Sequence, residues 1–217
     1  MTAALPESQV AEGPRSLEVR WIFAGQLETA VVRWFGRFPT RAESREDIYL
    51  IEPDMRGLSV KVRAGTVLEV KAYQGSPGIL NVAGCASGRM QYWQKWSFPF
   101  SPLSPLSRDG RDPPGWRSVR KRRWVSRFSL ADGRITADAR ELAGKTVCAV
   151  ELAAVRADGQ AWWSLGFEAA GSADPFRNAL EATAMLVFAQ PLPDGLEPGM
   201  DKSMSYAEWL SRRQEPR

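Results

Sequence analysis

Charged residues alternate along several short segments of this chain, and none of its 217 residues is histidine. Together these facts define the chemistry on offer. Without imidazole there is no Ser-His-Asp or Cys-His nucleophile, no histidine zinc site and no histidine pH switch. Two cysteines, Cys85 and Cys148, are too few for a disulfide framework or a thiolate metal site and are expected to be ordinary reduced thiols. Carboxylates, Lys, Arg, Tyr and hydroxyls remain. Basic residues number 29 against 25 acidic ones, most of them arginine. Arginine suits fixed, bidentate binding of phosphate or carboxylate. Carboxylates offer oxygen ligands to a hard divalent cation.

The elements that carry these charges read mainly as strands. Residues 16–23 alternate, with Leu17, Val19, Trp21 and Phe23 opposite Ser16, Glu18 and Arg20. A helix is predicted over 26–37, a strand over 45–52, and a hairpin from 58–63 and 67–73 turning at Ala64-Gly65. Residues 74–90 read as Gly-rich and irregular, and 91–98 fit a strand or a helix equally. Residues 99–115 hold five prolines and read as a loop, so an irregular insertion is expected over about 74–115. A basic strand is predicted over 116–130, a short helix over 136–144, and a hairpin from 146–156 and 161–169 about Asp158-Gly159. Helices are expected over 174–189, capped by Asp174 with Pro175 at its first position, and over 205–213. This makes an α+β protein with mostly antiparallel strands. Residues 1–14 are expected to be a flexible tail ahead of a single domain over 15–213. They do not read as a signal peptide, and the most apolar stretch, 182–189, is too short to span a bilayer. The expectation is a cytoplasmic protein with no membrane partner.

Opposite their apolar faces, the strands present full charges. These are Glu18 and Arg20, Lys61 and Arg63, Glu69 and Lys71, then Lys121, Arg123 and Arg127, and finally Glu151 and Glu168. One explanation is a sheet with one wet face. The other is a barrel whose charged face is the interior, where positive potential would gather on a bound polyanion.

The order of these segments resembles the CYTH domains, also called triphosphate tunnel metalloenzymes. Ser16-Leu17-Glu18-Val19-Arg20 resembles the family's opening Glu-x-Glu-x-Lys strand. Asp47-Ile48-Tyr49 with Pro53 is similar to its Asp-x-Tyr element. Lys61-Val62-Arg63, Leu68-Glu69-Val70-Lys71 and Val119-Arg120-Lys121-Arg122-Arg123 resemble its basic strands. Val150-Glu151-Leu152 and Phe167-Glu168 resemble its acidic hairpin, and Ser205-Tyr206-Ala207-Glu208-Trp209-Leu210 its closing helix. The resemblance runs over roughly residues 16–210. This sequence departs from the pattern at Ser16, which stands for the first Glu, at Arg20, which replaces the Lys, and at Gly166, where a second Glu often stands. The segment 74–115 has no counterpart.

The resemblance implies a mostly antiparallel β-barrel tunnel with a charged interior and helices outside. It implies a phosphohydrolase dependent on Mg2+ or Mn2+ and acting on an inorganic or organic triphosphate. Arg20, Lys61, Arg63, Lys71, Lys121, Arg123 and Arg127 would bind phosphoryl oxygens. Glu18, Glu151 and Glu168 would be the catalytic metal ligands, with Glu69 a further ligand or a partner of a neighbouring cation. The alternative is a CYTH-like module that binds polyphosphate or nucleotide without turnover. Nucleic-acid binding is a lesser reading, carried by Arg117 and Arg120–Arg123 between Trp116 and Trp124. Trp21, Trp34, Trp163 and Trp209 are expected to pack helices onto the sheet. Trp162 and Tyr73 are candidates to face the tunnel, and Trp93 and Trp96 to form a satellite core or a lid.

Overall fold

The computed structural model describes residues 13–52, 54–100, 114–131, 134–137, 146–171 and 176–213. In chain order these form β1 (Arg15–Ala24), α1 (Thr29–Phe35), β2 (Arg41–Leu50), β3 (Leu58–Arg63), β4 (Val67–Val82) and β5 (Ala86–Pro99). There follow β6 (Trp116–Ala131), β7 (Arg134–Ala137), β8 (Val147–Ala157), β9 (Gln160–Ala170), α2 (Phe176–Phe188), a 3-10 turn at Met200–Lys202 and α3 (Tyr206–Arg212). Neighbouring strands run antiparallel in the order β2-β3-β4-β5-β1-β9-β8-β6, and a β2–β6 pairing closes the ring. The result is an eight-stranded antiparallel barrel with three helices. β7 pairs with the end of β6, beyond the point where β2 begins.

Period-two patterning assigns the two faces. Leu17, Val19, Trp21 and Phe23 of β1 share one core with Val150 and Leu152 of β8 and Leu165 and Phe167 of β9. Ala179, Leu180, Ala184, Val187 and Phe188 of α2, and Val31, Trp34 and Phe35 of α1, complete it. Trp21 sits edge-on to Phe167 and Phe188, with ring centroids 6.1 and 6.0 Å away, and its indole N–H donates to the Ser87 carbonyl at 2.9 Å. Each large side chain buried here contributes roughly 1.5–3 kcal/mol. Trp21, Trp34 and Trp163 lie in this helix-covered core as expected. Trp209 does not. It joins Ile22, Tyr49, Val119 and Val155, on the alternation that carries Glu18, Arg20 and Lys121.

The Gly-rich segment differs most from its sequence reading. Residues 74–82 and 86–98 belong to the long β4–β5 hairpin, so 91–98 is strand and 74–90 is largely ordered sheet. Gly75 and Gly78, both at φ 122, mark two register shifts in β4. Glycines that read as breakers instead form bulges, a conformation open to residues without a Cβ. Leu80, Ala86 and Met90 thereby reach the α2 core.

The predicted helix at 136–144 begins as strand, since residues 134–137 pair with β6; 138–145 lie outside the described residues. The tail residues 1–12, Pro53, the prolines between 101 and 113, and the predicted cap Asp174-Pro175 also lie outside them. β2 begins at Arg41, earlier than expected, and α1 is shorter than its predicted span. α3 starts with a capping box: Ser205 Oγ accepts from the Glu208 amide, and Glu208 Oε2 accepts from the Ser205 amide. No described helix is long and apolar enough to cross a membrane.

Candidate functional site

Alternate residues of all eight ring strands line one cavity of about 370 Å3. β1 supplies Glu18 and Arg20, β2 Arg45, β3 Lys61 and Arg63, and β4 Glu69 and Lys71. β5 supplies Lys95, β6 Lys121, Arg123 and Arg127, β8 Glu151 and β9 Glu168. All eleven charged residues singled out from the sequence therefore line this cavity. Nine basic side chains and four carboxylates are among its lining residues. Ser205, Tyr206 and Ala207, at the start of α3, complete it.

Strand register groups the charges. Glu18 lies opposite Glu168 across β1–β9. Lys71 Nζ reaches from β4 to Glu18 at 2.5 Å and to Glu168 at 3.5 Å. Ser16 Oγ donates to Glu18 at 2.8 Å and so steadies that carboxylate. One row further, Arg20, Gly166 and Glu151 are aligned across β1, β9 and β8. Arg20 Nη1 donates to Glu151 Oε1 at 2.9 Å and to Ser164 Oγ at 3.3 Å, and its guanidinium lies 4.7 Å from the Tyr206 ring centre. Glu151 Oε2 pairs with Arg123, which also pairs with Glu43.

A third group surrounds Asp47, which is fully buried. Arg45, Lys61 and Lys121 approach its carboxylate at 3.1, 3.5 and 3.6 Å. Lys61 also pairs with Glu69 at 2.9 Å, and Arg63 with Glu69 at 3.3 Å. Lys121 Nζ donates to Tyr49 Oη at 2.8 Å and lies 3.6 Å from the Tyr206 ring centre. Arg127 is exposed at the cavity and forms no ion pair among the described residues.

These contacts fix the protonation states. Burial alone would raise the Glu151 carboxyl, but Arg20 and Arg123 outweigh it and hold it well below the usual carboxylate range. Burial likewise opposes ionisation of Glu69, yet Lys61 and Lys71 bring it down to about 2. Lys71 lowers Glu168 against burial. Arg20 and Lys71 are held above their ordinary values, because their carboxylate partners overcome the burial that would lower them. Lys121 goes the other way: burial pushes its ammonium well below the usual lysine range, and Asp47 restores only part.

No family model matches this chain, and no curated protein matches it.

The expected ligand set fits a hard cation only in part. Glu18 and Glu168 are neighbours with oxygen donors, but both are engaged by Lys71. Both oxygens of Glu151 are taken by arginines. Among the described residues no three acidic groups come together as a metal-holding cluster.

Sequence reasoning missed Arg45 and Lys95 as cavity residues. The signal for Lys95 was its alternation with Gln91 and Trp93, which all line the cavity once 91–98 is strand. Arg45 precedes Asp47 and Tyr49 by two and four positions and shares their face. Trp93 is buried in the lining, with Tyr73 edge-on at 5.6 Å and largely exposed, rather than forming a separate core or lid. Trp162 packs against Trp209 at 5.4 Å. The basic cluster of β6 is split by the pleat: Lys121 and Arg123 line the cavity, while Arg120 and Arg122 are exposed on the other alternation.

Proposed function

We propose that the cavity is the charged interior of a CYTH-like tunnel and binds the phosphate chain of a triphosphate or polyphosphate. The observation that carries this reading is the convergence of nine basic side chains from six strands on a space of about 370 Å3. The nine basic groups outnumber the six carboxylates paired with them, Glu18, Glu43, Asp47, Glu69, Glu151 and Glu168, and this imbalance favours a compact polyanion. Arginines held by carboxylates offer N–H groups at fixed positions, which lowers the ordering cost of binding phosphate oxygens.

Turnover with Mg2+ or Mn2+ is the second reading, and the facing pair Glu18 and Glu168 favours it. A cation bound there would neutralise phosphate charge and compete with Lys71 for both carboxylates. In either case Lys71, Lys61 and Arg63 hold the phosphate chain, and Arg20 and Arg123 hold it from the opposite side of the Glu18–Glu168 pair. Phosphate release from tripolyphosphate, ATP and thiamine triphosphate, measured with and without Mg2+ or Mn2+, separates the readings. Release with metal is the expected result for a hydrolase. Tight binding without release leaves the binding module. Absence of both removes the tunnel reading. The pleat divides the β6 basic cluster, leaving Arg120 and Arg122 on the other alternation, where they line a second cavity with Arg156, Trp124 and Trp162.

A further inference from the structure

Arg20 is held more completely than an ordinary anion-binding side chain. Its guanidinium lies over Gly166, where an added Cβ would come within 2.8 Å of Cζ, 2.9 Å of Nη1 and 3.0 Å of Nη2. Any side chain at position 166 would therefore displace the group. Glu151 anchors it on one side, the Tyr206 ring covers it at 4.7 Å, and Ser164 accepts its second Nη1 contact. Both anchoring contacts run through Nη1, so Nη2 stays available for a ligand oxygen among the described residues. Ser164 is itself fixed by Tyr206 at 2.9 Å.

Glu151, meanwhile, has no oxygen to spare. Oε1 holds Arg20 and Oε2 holds Arg123. The position of an expected metal ligand is thus a bridge between two guanidinium groups, and the neighbouring β9 position is a glycine that makes room for one of them. We propose that the Arg20–Glu151–Arg123 bridge, whose Arg123 also pairs with Glu43, supplies fixed guanidinium N–H donors at this end of the cavity, so that a phosphate chain binds there without a divalent cation. The inference rests on the anion-binding reading. A guanidinium offers planar, paired N–H donors and always carries charge, so it can neutralise a phosphoryl group with no ion to recruit.

Calorimetric titration of tripolyphosphate into the full chain tests this, once with excess EDTA and once with Mg2+. The expected affinity in EDTA equals or exceeds that in Mg2+, since Mg2+ also binds the free ligand. Arg20→Met is expected to weaken binding about tenfold or more, as loss of a charge-assisted hydrogen bond does, with Mg2+ giving no recovery. Gly166→Ala is expected to weaken it through the displaced guanidinium, with thermal melting run alongside to show that the variant folds. Binding that appears only with Mg2+, in the unaltered chain, would overturn the inference and leave the anion-binding reading standing. Binding in neither condition would overturn that reading itself.

Discussion

Glu151 organises two cations with one carboxylate, and its replacement should be costly for that reason. In Glu151→Gln the amide keeps the shape but not the charge, leaving Arg20 and Arg123 side by side and only partly exposed. The expected loss of stability is about 3 kcal/mol, measured by urea unfolding, because a buried cation without its partner is strongly unfavourable. Glu69 gives a pH signature. Its folded value of about 2 lies below the ordinary 4.5, so its contribution is fully present above pH 4.5 and is lost as pH falls toward 2. Glu69→Gln should flatten the acid limb of the stability curve over that window. Lys121 acts with the opposite slope. Its folded value is depressed by burial, so the unfolded chain holds a proton that the folded one releases. Stability should therefore rise with pH up to 10.5, and Lys121→Met should remove that rise in urea titrations at pH 7 to 10.

Among the elements, α3 depends on its first turn. Ser205 caps the helix, and Glu208 returns the bond while also receiving Arg89 at 3.0 Å and Gln91 at 3.3 Å from β5. Ser205→Ala should cost about 1 kcal/mol in thermal or urea unfolding. It should also loosen Tyr206, which covers Arg20 and Lys121, and so weaken anion binding beyond the stability loss. The sequence reveals strands whose two faces differ sharply. β1, β3 and the β8–β9 hairpin were legible because charge and apolar bulk alternate cleanly in them. The distal half of β4 was hidden, because glycines used as bulges resemble glycines used as breakers. That Glu18, Arg20, Lys121 and Glu151 share the charged faces of their strands followed from alternation, which left open whether those faces were wet or lined a barrel interior. Their pairing did not, since the Arg20–Gly166–Glu151 row depends on a register spanning three strands. The resemblance placed Glu151 among metal ligands, whereas the register sets it between two arginines.

For the molecule as a whole, nine basic groups line one cavity, and most of them are paired with Glu18, Glu43, Asp47, Glu69 or Glu151. On the proposed reading, a polyanion that fills the cavity stabilises the folded chain. Tripolyphosphate at a hundredfold excess over its dissociation constant is expected to add about 2.7 kcal/mol of stability, read as a rise in melting temperature. Added salt should shrink both the affinity and the rise by screening the attraction. Closure of the ring has a consequence for the folding reaction. The β4–β5, β3–β4 and β8–β9 pairings join sequence neighbours, whereas β2 and β6 meet only after the intervening chain is arranged. Loop-closure entropy sets such distant pairings late. Until the β2–β6 seam forms, β2 and β6 each present an unpaired backbone edge open to another chain. Refolding yield should therefore fall as protein concentration rises, while in the finished barrel the edge of β2 that faces β6 is joined from Arg41 to Leu50.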